Sequence, residues 1–364
     1  MNSQIKSQAF VEATASVEAV IADLWDRILE RGPHARTANL FDLRLGVQRI
    51  HRLLEAISQA TGVYLPITTV FEACTIGAIA DVVKRGKTPA QRPTVLVQPQ
   101  DGGTPLFLFP GLGGLPLELL DLGSLVKAGG PVYANIFQGL DGLEPLHRSI
   151  TEMARYQAAC IRSIQPRGPY RVAGFSLGAL VALETARVFS DGGEQVDFVG
   201  LIEPNLPERC WPPAVKRAFL WRRLKTHLAT IKTLSPRAIL PYLVERATPV
   251  ARRLRRLIGD KGEASASPYT LATLPKELLD AREAGIAAFY SYEMSPYRGK
   301  VIFFDSAGGD PLSCRPLEVL PPYVGAYESH VCSGDHASVM RQPHVAELAH
   351  HMSEALARLD RPSR

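Results

Sequence analysis

No stretch constrains this chain more than Gly174-Phe175-Ser176-Leu177-Gly178, which lies between an apolar strand-like run, Tyr170 to Ala173, and a helix-like run, Ala179 to Phe189. A serine with glycine on both sides in a strand-turn-helix setting reads as a nucleophile elbow, where a tight turn exposes Oγ above the sheet edge. The helix starting at Leu177 would point unpaired N–H groups and the positive end of its dipole at negative charge forming beside Ser176. The backbone N–H of Leu177 is therefore the first expected oxyanion donor. The competing reading is an ordinary turn whose glycines only permit close packing.

An elbow of this kind needs a parallel sheet under it, and the sequence from Val95 onward supplies the pattern. Apolar strand-like runs at Leu106 to Phe109, Val132 to Phe137, Tyr170 to Phe175, Phe198 to Ile202 and Val301 to Phe304 alternate with helical runs near 147–164, 177–190 and 343–358. That alternation predicts an α/β fold with a mostly parallel sheet covered by helices. Residues 16–85 read differently, as short helices: Val17, Val20, Ile21, Leu24, Trp25, Ile28 and Leu29 recur at helical spacing, as do Val47, Ile50, Leu53, Leu54 and Ile57. A third helix follows Thr75, a good N-cap, with Ile76, Ile79, Val82 and Val83 on its apolar face. Residues 1–86 are thus expected to form a small helical domain, 87–94 (from Lys87 through the proline-marked TPAQRPT) a linker, and 95–364 the α/β domain.

Composition narrows the function class. Charged residues make up 21% and apolar residues 46% of the chain, with a net charge of +5, so nucleic acid is not the expected partner. Met1 to Phe10 lacks the apolar core of a signal peptide and no apolar run is long enough to span a bilayer, which points to a cytoplasmic protein without membrane attachment. The 5 cysteines are scattered, with no CxxC spacing, and suggest neither a disulfide framework nor a zinc site.

A serine hydroxyl needs a base to take its proton and a carboxylate to orient that base. In sheets with this elbow the chain order is serine, acid, histidine. His336, in Ser333-Gly334-Asp335-His336-Ala337, follows the strand-like Tyr327 to Cys332 and precedes the last helix, where a loop can carry a base to the strand ends. His330 falls on the strand, His344 starts the helix, and His350 and His351 lie farther along it. For the acid, Glu203 ends the strand Val199 to Ile202 and is followed by strand-stopping Pro204; Asp310 follows the next strand and is the rival. The glycine-rich loop Phe109-Pro110-Gly111-Leu112-Gly113-Gly114 should give the second oxyanion donor, the N–H of Leu112. Its spacing fits neither a P-loop nor a dinucleotide fingerprint.

With these residues in view, the chain resembles the thioesterase domains that end nonribosomal peptide and polyketide synthases, over nearly all of residues 95–358. The resemblance rests on the FLFPGLGG loop, on SIQPRGPYRVAGFSLGALVALETA, on the strand-end acid in LIEP, on YRGKVIFF and on GDHASVMRQPHVAELA. It implies an α/β-hydrolase fold with a helical lid, here about 207–298, and acylation of Ser176 by a chain carried on a pantetheine thioester, with His336 as base. The family's acid commonly is Asp at the place of Glu203; the extra methylene of Glu displaces the carboxylate by roughly 1.5 Å, so either the strand end is adjusted or Asp310 serves.

The N-terminal part is similar to a carrier-protein domain, through Ala38-Asn39-Leu40-Phe41-Asp42-Leu43 and Arg52-Leu53-Leu54. A working carrier has Gly-Gly-x-Ser after the triplet that FDL resembles; here the run is Arg44-Leu45-Gly46-Val47, so the attachment position is Val47, with no Ser or Thr between Leu40 and Ile57. The resemblance therefore implies a domain that carries no phosphopantetheine of its own, no other cofactor or metal, and a carrier protein acting in trans as the partner. The long segment from Glu203 to Val301 suggests a lid with helices at Val215 to Leu234 and Ile239 to Leu257, and Trp211, Phe219, Trp221, Leu224 and Leu228 are candidate pocket residues. From Trp211 to Ile258 a dozen Lys and Arg face a single acid, Glu245, ending in Arg252-Arg253-Leu254-Arg255-Arg256, a face suited to an acidic carrier or simply to solvent. An oxygen-ester hydrolase or acyltransferase with the same triad, and a non-catalytic docking scaffold, are the alternative functions.

Overall fold

The sequence LFLF at Leu106–Phe109 has no polar face, and it forms a strand (β2) buried at every position. The computed structural model describes residues 17–30, 35–43, 45–88, 90–233, 235, 274–309 and 314–360. Six further strands flank β2: β1 (Thr94–Gln98), β3 (Val132–Asn135), β4 (Tyr170–Phe175), β5 (Val196–Ile202), β6 (Tyr297–Ser306) and β7 (Val324–Cys332). They form one seven-stranded sheet in the order β1-β3-β2-β4-β5-β6-β7. Only the β1–β3 pair is antiparallel; every other neighbouring pair is parallel. With helices covering it, this is the α/β-hydrolase fold.

Register is what brings the functional loops together. Phe109 pairs with Gly174, Phe175 with Ile202, and Ile202 with Phe304, while Ser306 pairs with Cys332. The carboxyl ends of five parallel strands therefore emerge along one edge, and their loops meet there, as the crossover geometry of parallel sheets requires. The helices that cover the sheet include α4 (Leu120–Leu125), α5 (Ile150–Ile164) and α6 (Leu177–Asp191). Ser149 caps α5 by accepting from the Glu152 amide at 3.2 Å. Helix α6 is buried at every position from Leu177 to Ala186, as befits an almost wholly apolar helix against the sheet centre.

The N-terminal helices run over 17–29 (α1), Val47–Thr61 (α2) and Ile76–Arg85 (α3). Thr75 is the N-cap of α3, accepting from Ala78 N at 3.2 Å. Trp25, Leu29, Ile50, Leu53, Leu54, Ile57 and Ile79 are fully buried or nearly so, and their cluster continues without a break into Leu115, Ile136, Leu140 and Leu278. The segment expected as a linker is bonded on both sides. Thr88 Oγ1 donates to Tyr64 O at 2.7 Å, Gln91 Nε2 donates to Phe137 O at 2.7 Å, and Gln91 Oε1 accepts from Leu140 N at 3.0 Å. Arg92 pairs with Glu72 at 2.8 Å and Pro93 O accepts from Ile136 N at 2.8 Å. Proline and small polar residues make this stretch extended and non-periodic, and several of its polar groups bond to protein.

The described residues within 1–209 and 274–364 cluster as one compact unit and those within 210–273 as a second. The first contains α8 (Lys276–Ser291) and the last helix α9 (His344–Leu359); the second contains α7 (Pro213–Thr233). In the second unit the Trp211 ring meets Phe219 edge-on at 5.0 Å, and both are buried, whereas Trp221, Leu224 and Leu228 are exposed. The expected helix at 239–257 and the arginine run at 252–256 lie outside the described residues. Among the described residues no helix is long and apolar enough to cross a membrane.

Candidate active site

Ser176 stands between β4 and α6 with φ +54° and ψ −115°, a conformation that L-residues avoid and that costs about 1–3 kcal/mol. The glycines around it are required by sterics. A Cβ at Gly174 would lie 2.1 Å from Gly178 O, and one at Gly178 would lie 2.3 Å from Pro110 O. The second contact seats the start of α6 against the loop that follows β2. The side chains of Leu112 and Leu177, whose N–H groups are the expected oxyanion donors, both reach α8: a Cβ built on Gly285 would meet Leu112 Cδ1 at 2.9 Å and Leu177 Cδ2 at 3.2 Å.

The strand-end acid is tied to the elbow through the backbone. Ser176 N donates to Ile202 O at 2.9 Å, and Glu203 is the next residue. Glu203 leaves the strand with φ +45°, and its N–H donates to Phe304 O at 3.0 Å. Its buried carboxylate accepts the Ser306 amide through Oε1 and faces His336 Nδ1 through Oε2 at 3.3 Å. The left-handed turn at Glu203 accompanies this arrangement. Asp310 lies outside the described residues.

His336 is held by its loop. Ala307 N donates to Cys332 O at 2.8 Å and Gly308 N to Gly334 O at 2.9 Å, which stitches the loops after β6 and β7 together. Asp335 Oδ1 accepts from Ala337 N at 3.1 Å and Ser338 N at 2.9 Å, closing the turn around His336. The imidazole stacks on the Phe175 ring, 5.1 Å between centroids and 28° between planes, so it lies beside the residue that precedes Ser176. The other C-terminal histidines are elsewhere: His330 is on β7 with Nε2 2.7 Å from Glu328, His344 opens α9 and bonds Ser333, and His350 and His351 follow on that helix.

Two carboxylates near this edge carried no sequence signal. Glu118, in the 3-10 turn Pro116–Leu119, accepts the Gly111 amide at 2.6 Å and so fixes the start of the loop that carries Leu112. Its side chain is exposed, and the protein packed around the carboxyl raises its pKa, against the Gly111 amide and the charges of His336 and Arg341. Asp305, on β6, has its pKa raised to about 6 by burial and by the Glu203 charge, with Arg315 opposing. Among the described residues its buried Oδ1 meets no hydrogen-bond donor. At the helical module, Val47 is the first residue of α2 and packs half-buried against that module's core. Among the described residues no group of three His, Cys, Asp or Glu is placed to hold a metal.

Comparison with known proteins agrees with this fold. The family described as thioesterase domain matches residues 104–355. An indigoidine synthase of Streptomyces lavendulae is 31% identical over 209 residues, covering 57% of this chain and 16% of that protein. A microperfuranone synthase of Emericella nidulans is 30% identical over 320 residues, covering 81% of this chain and 32% of that protein. The chain thus spans at most about a third of the length of these relatives. Among solved structures, a four-domain nonribosomal peptide synthetase bound to AMP and glycine has a TM-score of 0.54 at 19% identity, covering 93% of this chain and 26% of that one.

Proposed function

The chain belongs to the thioesterase domain family, and from that premise we propose that it is a serine thioesterase that releases an acyl or peptidyl chain from a carrier-protein thioester in natural-product biosynthesis. The observation that carries this reading is the His336 imidazole, 3.3 Å from Glu203 through Nδ1 and stacked on Phe175 beside the strained Ser176. In the proposed reaction Ser176 Oγ attacks the thioester carbonyl while His336 Nε2 takes its proton. Glu203 holds the Nδ1–H tautomer and stabilises the imidazolium without itself being protonated. The N–H groups of Leu112 and Leu177 receive the oxyanion. The pantetheine thiol leaves, taking the proton from His336; thiol pKa values near 8.5 make this departure easy. The acyl-Ser176 ester then meets water, giving an acid, or a hydroxyl or amine, giving a ring or condensed product.

We place the helical module in the same scheme as a carrier-like domain without an attachment residue, because Val47 stands where phosphopantetheine would be joined. The acyl chain then arrives on a separate carrier. The test is a fluorophosphonate probe followed by intact mass and peptide mapping, with Ser176→Ala as control. One adduct on Ser176 is expected. A correctly folded protein with no adduct would remove the nucleophile and favour the scaffold alternative.

A further inference from the structure

One face of α8 serves two places at once. Leu278, in its first turn, is buried in the cluster that forms the core of the helical module, and Ala281 packs against the same cluster. Two turns farther along that face, roughly 10.5 Å away, Gly285 is buried against the side chains of Leu112 and Leu177. Both ends of the helix are tied. Glu277 accepts from the Tyr64 hydroxyl of the module at 3.3 Å. At the far end the Tyr292 hydroxyl donates to Glu184 Oε2 at 3.2 Å, and both of these side chains are buried. Glu184 lies on α6, the helix that Leu177 opens. Sliding α8 along its axis would break a hydrogen bond at each end and pull Leu278 out of the module's core.

The loop that carries Leu112 reaches the same core directly. Leu115 is a member of the module's buried cluster, and Leu117 packs against it. Between Leu112 and Leu115 the chain turns at Gly114, where φ is +72° and a Cβ would lie 3.0 Å from Phe137 Cβ. Gly114 O accepts from Phe137 N at 3.0 Å. The backbone of Leu112 is thus held by its own loop on one side, while its side chain rests on α8. A hydrogen-bond donor acts on a developing oxyanion only from the right place: losing one costs about 10²–10³-fold in rate, and a 1 Å misplacement can cost about 10²-fold.

On the basis of the serine thioesterase reading above, we propose that the helical module serves the chemical step from a distance: through Leu115, and through Leu278 and Gly285 of α8, it sets the position of the Leu112 N–H. Leu278 and Gly285 are positioning residues in this scheme and touch no substrate. Packing of the module governs how fast Ser176 is acylated and leaves affinity for the acyl group alone.

Labelling of Ser176 by a fluorophosphonate, followed in time on the full chain, reads this directly. The phosphoryl oxygen takes the place of the oxyanion, and the final labelled fraction counts the competent molecules. In Leu278→Ala the limiting labelling rate should fall about tenfold, with the half-saturating probe concentration and the final labelled fraction close to the parent's. Leu278→Met refills the space and should recover most of the rate; Leu278→Val gives the same comparison should the alanine variant not fold. Gly285→Val should also slow labelling, and Gly285→Ala less, because the tips of Leu112 and Leu177 can turn aside from one methyl group. Leu356→Ala, a matched truncation in the separate cluster under α9, should keep the parent's limiting rate. A Leu278 variant whose labelled fraction drops while its limiting rate holds would show structural support alone and overturn the proposal, as would an equal slowing by Leu356→Ala. Parent protein that labels at Ser176 and turns over an acyl-pantetheine thioester, with variants that keep its rate, removes this proposal only. Folded parent that neither labels nor turns over the thioester removes the thioesterase reading with it.

Discussion

Nδ1 of His336 lies 3.3 Å from Oε2 of Glu203, while the other oxygen of that carboxylate accepts the Ser306 amide. One oxygen is fixed by backbone and the other is aimed at the ring, so the carboxylate cannot rotate away without losing a buried hydrogen bond. Glu203→Gln keeps the shape but presents an amide where Nδ1–H needs a full acceptor, which favours the wrong tautomer. The expected loss in kcat is about 10³-fold or more, as for amide replacements of triad acids. Asp310→Asn is expected to keep most of the parent's rate, because the Glu203 carboxylate already faces His336 Nδ1. Single-turnover hydrolysis of an acyl-pantetheine thioester by both variants decides between the two acids: a larger loss in Asp310→Asn reverses the assignment.

Glu118 braces the loop that carries Leu112, the proposed oxyanion donor. Its carboxylate holds the Gly111 amide at 2.6 Å, one residue before Leu112. Removing the acceptor frees the loop to drift, and a misplaced oxyanion donor costs roughly 10–10²-fold in kcat. Glu118→Ala should therefore lower kcat with little change in KM. Glu118→Gln retains an oxygen that can accept the same N–H and should recover most of the rate. A KM effect without a kcat effect would point to substrate contact in place of loop support.

The distinction between those two carboxylates shows where the sequence stops being informative. The strand-turn-helix around Ser176, the order of strands and helices, and the place of His336 on a loop before the last helix were legible because each depends on local pattern: alternating apolar runs, glycines in a tight turn, a loop between the last strand and last helix. Glu203 was legible as a strand-end acid, yet its left-handed φ of +45° was not, because that turn answers to contacts with Phe304 and Ser306, more than a hundred residues away. Glu118 and Asp305 had no pattern at all; their roles come from what the tertiary fold sets beside them. Residues 87–94 show the same limit, since turn-like composition says that a stretch is extended but not which of its polar groups bond to protein.

Asp305 makes stability depend on pH. Its pKa is raised from 3.8 to about 6, chiefly by burial and then by the Glu203 charge. A carboxyl whose folded pKa is raised binds its proton more tightly in the native state than in the unfolded one. Its contribution is fully present below about pH 4 and is lost as pH rises through about 6. Above that, the ionised form is a net cost on the order of 2 kcal/mol. Asp305→Asn should raise the urea midpoint at pH 7.5 and give much less benefit at pH 4. A variant equally stabilised at both values would show that packing, and not charge, is the cause.

Tyr64 in the helical module bonds Glu277 on α8 at 3.3 Å, and the same stretch of chain is fastened at Thr88, Gln91, Arg92 and Pro93. A carrier must swing on its linker to present a tethered chain to several sites, and this module has both a bonded connection and a core continuous with Leu115, Ile136, Leu140 and Leu278. Separating them would expose those leucines at roughly 25 cal/mol per Å² of apolar surface, a large penalty for such motion. The module should therefore tumble with the sheet: ¹⁵N relaxation is expected to give the same rotational correlation time for residues 47–85 and for the strands. Treatment with coenzyme A and a promiscuous phosphopantetheinyl transferase should add no mass, because Val47 has no hydroxyl. Faster tumbling of the helices would show that the shared core opens in solution, and a gain of one pantetheine arm would show that loading occurs at another residue, making the chain its own carrier.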